Sequence, residues 1–475
     1  MPRIIIAITM VLCLVFVIAS CGKNNDEIGI TNTISAVSTD MIQTTTPDSQ
    51  PELKNASEFN SNDNSVSYSI NISEYEEFEN LPIVDVKPHA FTSENAQKIA
   101  TALFKGAEFF EKSSEASLGK DEIEANIALW SEFKDEAKLR NLFGGSNVED
   151  MQRLLDGFIK KYTEILETAP DAVEKTECQW TFYPYEHYYQ GSTNSGTYFI
   201  EAETEYNGIP YSFIIVNRDE SDYVIHNVYA HILEITSPRN INARILKYEL
   251  CKGQEPNEEQ LKRITTKAMD LLKAFDVGDW CIDECVCSPL EYGEESAYEI
   301  TVSAVPVFHG AKAVRQLQLD NLTSENNERS NYYYTDAMFK FSPSGDLIEF
   351  ELFSPVDEVE CKTEAADVLS LDTLLDIAKA VLIEDSCKEY YPWNDIQETL
   401  TCDVSINTIE YGMTRLRNTD NNSYEYVPAI TFKGSFTVKD ESGITVYSSE
   451  DYSPGKPVAV LVLNAIDGSI IDIQK

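Results

Sequence analysis

Phe199-Ile200-Glu201-Ala202-Glu203-Thr204-Glu205-Tyr206, then Asn207-Gly208, then Ile209-Pro210-Tyr211-Ser212-Phe213-Ile214-Ile215-Val216: two β-patterned runs flank the dipeptide that best suits a type I′ turn. The stretch predicts a hairpin and marks the change from a helical period of 3.6 to a strand period of 2. It has echoes further along. Tyr206-Asn207-Gly208 is matched by Phe308-His309-Gly310, 102 residues on, and by Phe432-Lys433-Gly434, a further 124 on. After the turn at Ser237-Pro238, Ile245 to Leu250 reads as a closing strand and returns as Leu347 to Leu352, with Leu250 and Leu352 again 102 apart. Gly345-Asp346-Leu347-Ile348 returns 123 residues later as Gly468-Ser469-Ile470-Ile471. Several matches at nearly constant offsets argue for an internal repeat.

An amphipathic helix precedes each expected copy. The first opens at a capping box, Ser146-Asn147-Val148-Glu149, carries Met151, Leu154, Leu155, Phe158, Tyr162 and Ile165 on one side, and is closed by Pro170. The second opens at Asn257 with Leu261, Ile264, Ala268, Leu271 and Phe275 inward; the third opens at Ser370 with Leu371, Leu374, Leu375, Ala378 and Leu382 inward. The expected fold class is therefore α+β: three tandem units of an amphipathic helix packed on an antiparallel β-meander. The units fall at 146–251, 252–356 and 357–475. Before them come a helical segment at 71–145, with apolar faces at Ile99, Leu103, Ala107, Phe110 and at Ile123, Ile127, Trp130, and a flexible Ser/Thr/Asn-rich linker at 21–70.

The N-terminus reads as an address. Arg3 precedes sixteen residues, Ile4 to Ala19, in which only Thr9 is polar, and the run ends Ile18-Ala19-Ser20-Cys21. About 20 apolar residues are needed to span a bilayer, so residues 1–20 suit a cleaved signal better than a permanent anchor. The motif resembles a bacterial lipobox. That resemblance implies cleavage before Cys21, diacylglyceryl modification of its thiol, and residence on the outer face of the cytoplasmic membrane, where two acyl chains hold a domain firmly.

Composition narrows the partners. The chain has 475 residues, 80 acidic against 37 basic, for a formal charge of −43. Such a chain repels phosphate backbones, which argues against nucleic acid, and repels anionic headgroups, so membrane attachment falls to the N-terminal lipid.

Eight cysteines lie beyond Cys13 and Cys21: Cys178, Cys251, Cys281, Cys285, Cys287, Cys361, Cys387 and Cys402. An even number outside the cytoplasm is compatible with disulfides, and unpaired thiols are the other reading. The densest cluster, Trp280-Cys281-Ile282-Asp283-Glu284-Cys285-Val286-Cys287, has three thiols where a structural zinc site wants four ligands at familiar spacings. Cys251 and Cys361 each follow an expected closing strand, and bridges to Cys281 and Cys387 would tie each helix to the strand before it.

No His-Glu-x-x-His, Gly-x-Ser-x-Gly or Cys-x-x-Cys pair occurs. No residue is assigned to catalysis, to a metal or to a cofactor. Aromatic runs such as Tyr332-Tyr333-Tyr334 suit cross-strand packing as well as sugar stacking.

The last stretch, Val462 to Ile471, with Ile409-Glu410-Tyr411-Gly412 and Tyr426-Val427-Pro428-Ala429, resembles PepSY-type domains and YycI-like extracytoplasmic regulators of two-component signalling. The resemblance covers about the last 105 residues, carries over no functional residues, and implies a regulatory role at the membrane. The expected function is a lipid-anchored, non-catalytic module binding a membrane or cell-wall protein or a wall component. The alternatives are a surface hydrolase or wall-modifying enzyme, and the solute-binding lipoprotein of a transporter, which would need parallel βαβ alternation.

Overall fold

A computed structural model describes residues 58–62, 66–72, 81–112, 118–135, 138–140, 148–184, 196–220, 223–233, 237–290, 296–314, 335–383, 401–418, 423–451 and 457–471. The opening hairpin forms as read: β6 (Thr197–Tyr206) pairs with β7 (Ile209–Glu220) so that Tyr206 faces Ile209. Asn207 and Gly208 take φ of +55° and +77°, the two left-handed residues that a type I′ turn requires. His309 and Gly310 repeat this at +49° and +87°, closing Phe308 against Ala311.

In chain order the other elements are β1 (Glu58–Asn62), β2 (Val66–Asn71), β3 (Ile83–Pro88), α1 (Ser93–Leu103), β4 (Phe109–Glu111), α2 (Lys120–Phe133), α3 (Val148–Leu166), β5 (Tyr183–Pro184), β8 (Tyr223–Ile232), α4 (Ser237–Cys251) and α5 (Glu258–Phe275). There follow β9 (Trp280–Pro289), β10 (Tyr298–Phe308), β11 (Ala311–Lys312), β12 (Asp336–Phe341), β13 (Leu347–Phe353), β14 (Val356–Thr363), α6 (Leu371–Ile383), β15 (Thr401–Asn418), β16 (Ser423–Lys439), β17 (Thr445–Ser448) and β18 (Val458–Asn464). The fold is α+β, with two sheets that are antiparallel except where β2 runs parallel to β15.

The ten-stranded sheet has the order β11-β10-β12-β13-β8-β7-β6-β4, with β5 on β6 and β9 on β10. Its apolar face, from Ile200 and Phe213 through Ala230 to Phe350 and Phe339, shares one core with the helices. Helix α5 is capped by Asn257, which exchanges bonds with Gln260, and buries Ile264, Ala268, Leu272 and Phe275, the last 5.2 Å from the Phe350 ring. At about 1.5–3 kcal/mol per large apolar side chain buried, that one face is worth several kcal/mol to the docked helix. Helix α6, opened by Ser370 bonding the Thr373 amide, buries Leu371, Leu374, Leu375, Ala378 and Leu382 against the eight-stranded sheet, β1-β2-β15-β16-β3-β14 with β17 and β18 on β16.

Several expectations need correction. Ile245–Leu250 is not a closing strand but part of α4, and Ser237-Pro238 is that helix's first turn, where proline costs nothing. Its buried residues Ile241, Ala243, Ile245, Tyr248 and Cys251 alternate at first and then step by three and three. A six-residue window satisfied either period, and the longer one decides. Phe432-Lys433-Gly434 is not a turn but the interior of β16, opposite a bulge between Ile406 and Thr408. The linker expected at 21–70 contains β1 and β2; Tyr68, Ile70 and Ile72 are buried, alternating with Ser67, Ser69 and Asn71, a period-2 pattern too short to stand out from the polar composition before it. The helical segment expected at 71–145 contributes β3 to the eight-stranded sheet. The expected units do not own separate sheets either, because β8 pairs directly with β13. The matching turns at Gly345 and Gly468 stand, with φ of +92° and +74°.

The two sheets meet at a seam. Ser354-Pro355 carries the chain from β13 in one to β14 in the other, and a bridge pairs Ala313 with Met413. Val84, Val86, Val305, Phe308, Ala311, Val356, Met413, Tyr424 and Tyr426 form the apolar core between the sheets. Gly412 allows the approach, since a Cβ there would lie 2.5 Å from Val314 Cγ2 and 3.0 Å from the Lys312 carbonyl. Beside it, Lys312 Nζ lies 2.9 Å from Glu410 Oε1 and 3.7 Å from Asp283, and Lys433 engages the other oxygen of Glu410.

Candidate functional site

Pairing register defines what the other face of the ten-stranded sheet presents. One cross-strand row runs Glu203, Ser212, His231, Glu349, Lys340, and the next runs Glu201, Ile214, Tyr229, Glu351, Met338. Directly paired residues share a face, so four carboxylates are set among Ile214, Tyr229 and Met338, with Tyr229 edge-on to Phe353 at 5.8 Å. Alternation along β6 and β13 puts these glutamates opposite the core residues Ala202, Phe350 and Leu352. Lys112 lies 2.6 Å from Glu201, and Lys340 2.7 Å from Glu349.

At one end of this face α4 leans over the sheet. Lys247 Nζ is 2.5 Å from Glu299, and His231, Ile232, Ala243, Lys247, Ile348 and Glu349 enclose a cavity of about 160 Å³. Drug-sized ligands occupy roughly 300–1,000 Å³, so this cavity suits a few atoms at most.

The carboxyls on the face are not equivalent. Burial, followed by the charge of Glu349 and that of Asp336, pushes Glu351 up to about 7, with Lys340 opposing. The folded state thus holds a proton that the unfolded chain, titrating near 4.5, has already released. Stability therefore falls as pH rises from about 4.5 to about 7 and flattens above, by up to about 3 kcal/mol. Glu351→Gln is expected to remove that slope and to raise stability at pH 8 relative to the parent chain. Urea titrations of both proteins at pH 5 and pH 8 measure the difference; parallel pH profiles would contradict it.

The cysteines are dispersed. Cys178, Cys251, Cys281, Cys285, Cys287, Cys361 and Cys402 are free thiols; Cys21 and Cys387, with the lipid site and the second proposed bridge, lie outside the described residues. Cys251 belongs to the helix–sheet core, whereas Cys281 packs into the seam. The expected bridge between them is therefore not formed, because the 18 residues of α5 carry the chain about 27 Å away. Burial pushes Cys251 and Cys402 up to about 12, and Cys281 and Cys287 up to about 11. Such protonated thiols are poor nucleophiles and poor metal ligands. Two histidines hold carboxylates at the seam, His89 Nδ1 with Asp357 at 2.7 Å and His309 Nε2 with Glu358 at 3.0 Å. Among the described residues, no three His, Cys, Asp or Glu side chains converge as metal ligands.

Sequence reasoning placed none of the four glutamates in a site. Their signal, a carboxylate at alternate positions of an otherwise apolar strand, is equally that of a solvated sheet face; which strands pair, and hence which acids meet, is not local information. Comparison with protein-family models, with curated proteins and with solved structures gives no match.

Proposed function

We propose that this chain is a lipid-anchored extracytoplasmic binding protein that recognises a basic segment of a membrane or cell-wall protein through the glutamate-bearing face of its ten-stranded sheet. The observation that carries this reading is the pair of cross-strand rows that align Glu201, Glu203, Glu349 and Glu351 beside half-buried aromatic and aliphatic surface. Charge complementarity steers such encounters and selects the partner's sign. The anchor rests on the apolar run that ends at Cys21, and the described helices offer no alternative, since none is long and apolar enough to cross a membrane. Within this reading the helix-on-meander unit is a repeated module, supported by the matched turns at Gly208 and Gly310 and at Gly345 and Gly468.

Two measurements test it. Expression of the full chain in a bacterial host is expected to give an N-terminal peptide beginning at lipid-modified Cys21; an unmodified N-terminus there rejects the anchor. Affinity capture from native membranes with the lipidated protein is expected to recover a partner that is lost when Glu201 and Glu203 are replaced by Lys. Undiminished recovery with that variant rejects the face.

A further inference from the structure

Half-buried lysines in this protein are matched to acids. Lys112, Lys247, Lys312, Lys340 and Lys439 each have a carboxylate oxygen within 2.9 Å, and Lys433 shares Glu410. With 80 acidic residues in the chain, such partners are easily supplied. Arg415 departs from the pattern. It is 7% exposed, lies on β15 at the seam, and makes no ion pair with any described carboxylate. Its guanidinium stacks over the Tyr424 ring at 4.9 Å, and its one hydrogen bond to a described residue is a long one, Nη1 to Thr335 Oγ1 at 3.4 Å.

The surroundings are built to receive something. The Thr335 hydroxyl spends its proton on the Ser354 carbonyl at 2.7 Å. Ser354 itself is held at φ +41°, with its amide donating to Asn227 Oδ1 at 3.0 Å. A non-glycine residue in that conformation is strained and persists only where its surroundings over-determine it. Tyr426, directly across the ladder from Arg415, has its hydroxyl held protonated by burial despite the nearby guanidinium. That hydroxyl is hydrogen-bonded to Thr335, whose own proton is spent on Ser354, so the guanidinium N–H groups are the donors left at the edge of an apolar core.

We propose that the Arg415 guanidinium is a binding site for a carboxylate group at the seam between the two sheets. With one guanidinium face covered by Tyr424, the in-plane N–H fork is what is left, and it matches a planar carboxylate in two-point contact. A dianionic phosphate fits less well in a chain of charge −43. The proposal does not depend on the lipid anchor or on the glutamate face, so either can fail without it.

The test is thermal unfolding of the full chain at constant ionic strength with acetate, N-acetyl-Ala-Ala, its C-terminal amide, and inorganic phosphate. A ligand that binds only the folded state raises Tm, the stabilisation growing as RT ln(1 + [L]/Kd). The expected result is a rise with the acid peptide that grows with the logarithm of its concentration, and none with the amide. A rise with acetate as well assigns the site to carboxylates in general, and its absence to a peptide terminus. Arg415→Met, close in length and uncharged, is expected to fold and respond to none of them. Arg415→Lys keeps the charge but loses the fork and is expected to bind at least tenfold more weakly, which keeps the test alive if the methionine variant fails to fold. No response in the parent chain, an equal response in Arg415→Met, or a response to phosphate alone would overturn the proposal.

Discussion

Gly434→Ala is expected to unfold the eight-stranded sheet or to cost it at least about 3 kcal/mol. A Cβ at residue 434 would lie 1.8 Å from the Ser405 carbonyl oxygen and 2.8 Å from the Ile406 Cα, both backbone atoms. No rotamer change relieves a clash with backbone, so β15 and β16 would have to part next to the Ile406–Thr408 bulge. That ladder joins α6's core to the seam, so the loss is expected to be cooperative. Gly157→Ala provides the opposite sign: it lies in α3 with nothing within 4 Å of the added carbon and is expected to stabilise by about 0.5–1 kcal/mol. Urea midpoints by circular dichroism measure both, and a Gly434→Ala protein as stable as the parent would refute the close approach.

Glu410→Gln is expected to cost about 3–5 kcal/mol, the usual penalty for leaving buried charge without its partner. Glu410 is 19% exposed and is shared by Lys312 and Lys433, the latter equally buried. Burial alone would raise its pKa, but the two ammonium groups outweigh that and lower it; Lys312 is correspondingly raised, with Glu410 overcoming its burial. A depressed carboxyl contributes stability that is present above its unfolded value of 4.5 and is lost as pH falls through the folded one. The parent chain should therefore lose stability on acidification in a way that Glu410→Gln does not. Replacing Glu410, Lys312 and Lys433 together by apolar residues of similar size should recover most of the loss. If Glu410→Gln alone were neutral, the ion network would have no part in joining the sheets.

Local information carried some of this architecture. Asn207-Gly208 and His309-Gly310 are turns because positive φ at two successive positions is a property of the dipeptide and its flanking alternation. The helices opened by Asn257 and Ser370 are likewise legible, since a cap and a 3.6 period lie within one window. The same window length explains the misreadings: six residues of α4 satisfied two periods, and Gly434 has the context of a turn glycine while serving a bulge. Neither Arg415 nor the rows of glutamates could be picked out, because an arginine in a strand or a Glu at every second position is ordinary until its neighbours are known.

By itself, the sequence determined the α+β class, the positions of most helices and hairpins, the strong negative charge, and the apolar run ending at Cys21. Tertiary structure alone decided that β8 pairs with β13, that β1 to β3 cross into the last sheet, and that a guanidinium ends at the seam with no acid among the described residues to pair it. The physical reason is range: periodicity and turn geometry are set by covalent neighbours a few residues apart, whereas strand pairing and burial join residues separated by more than a hundred positions.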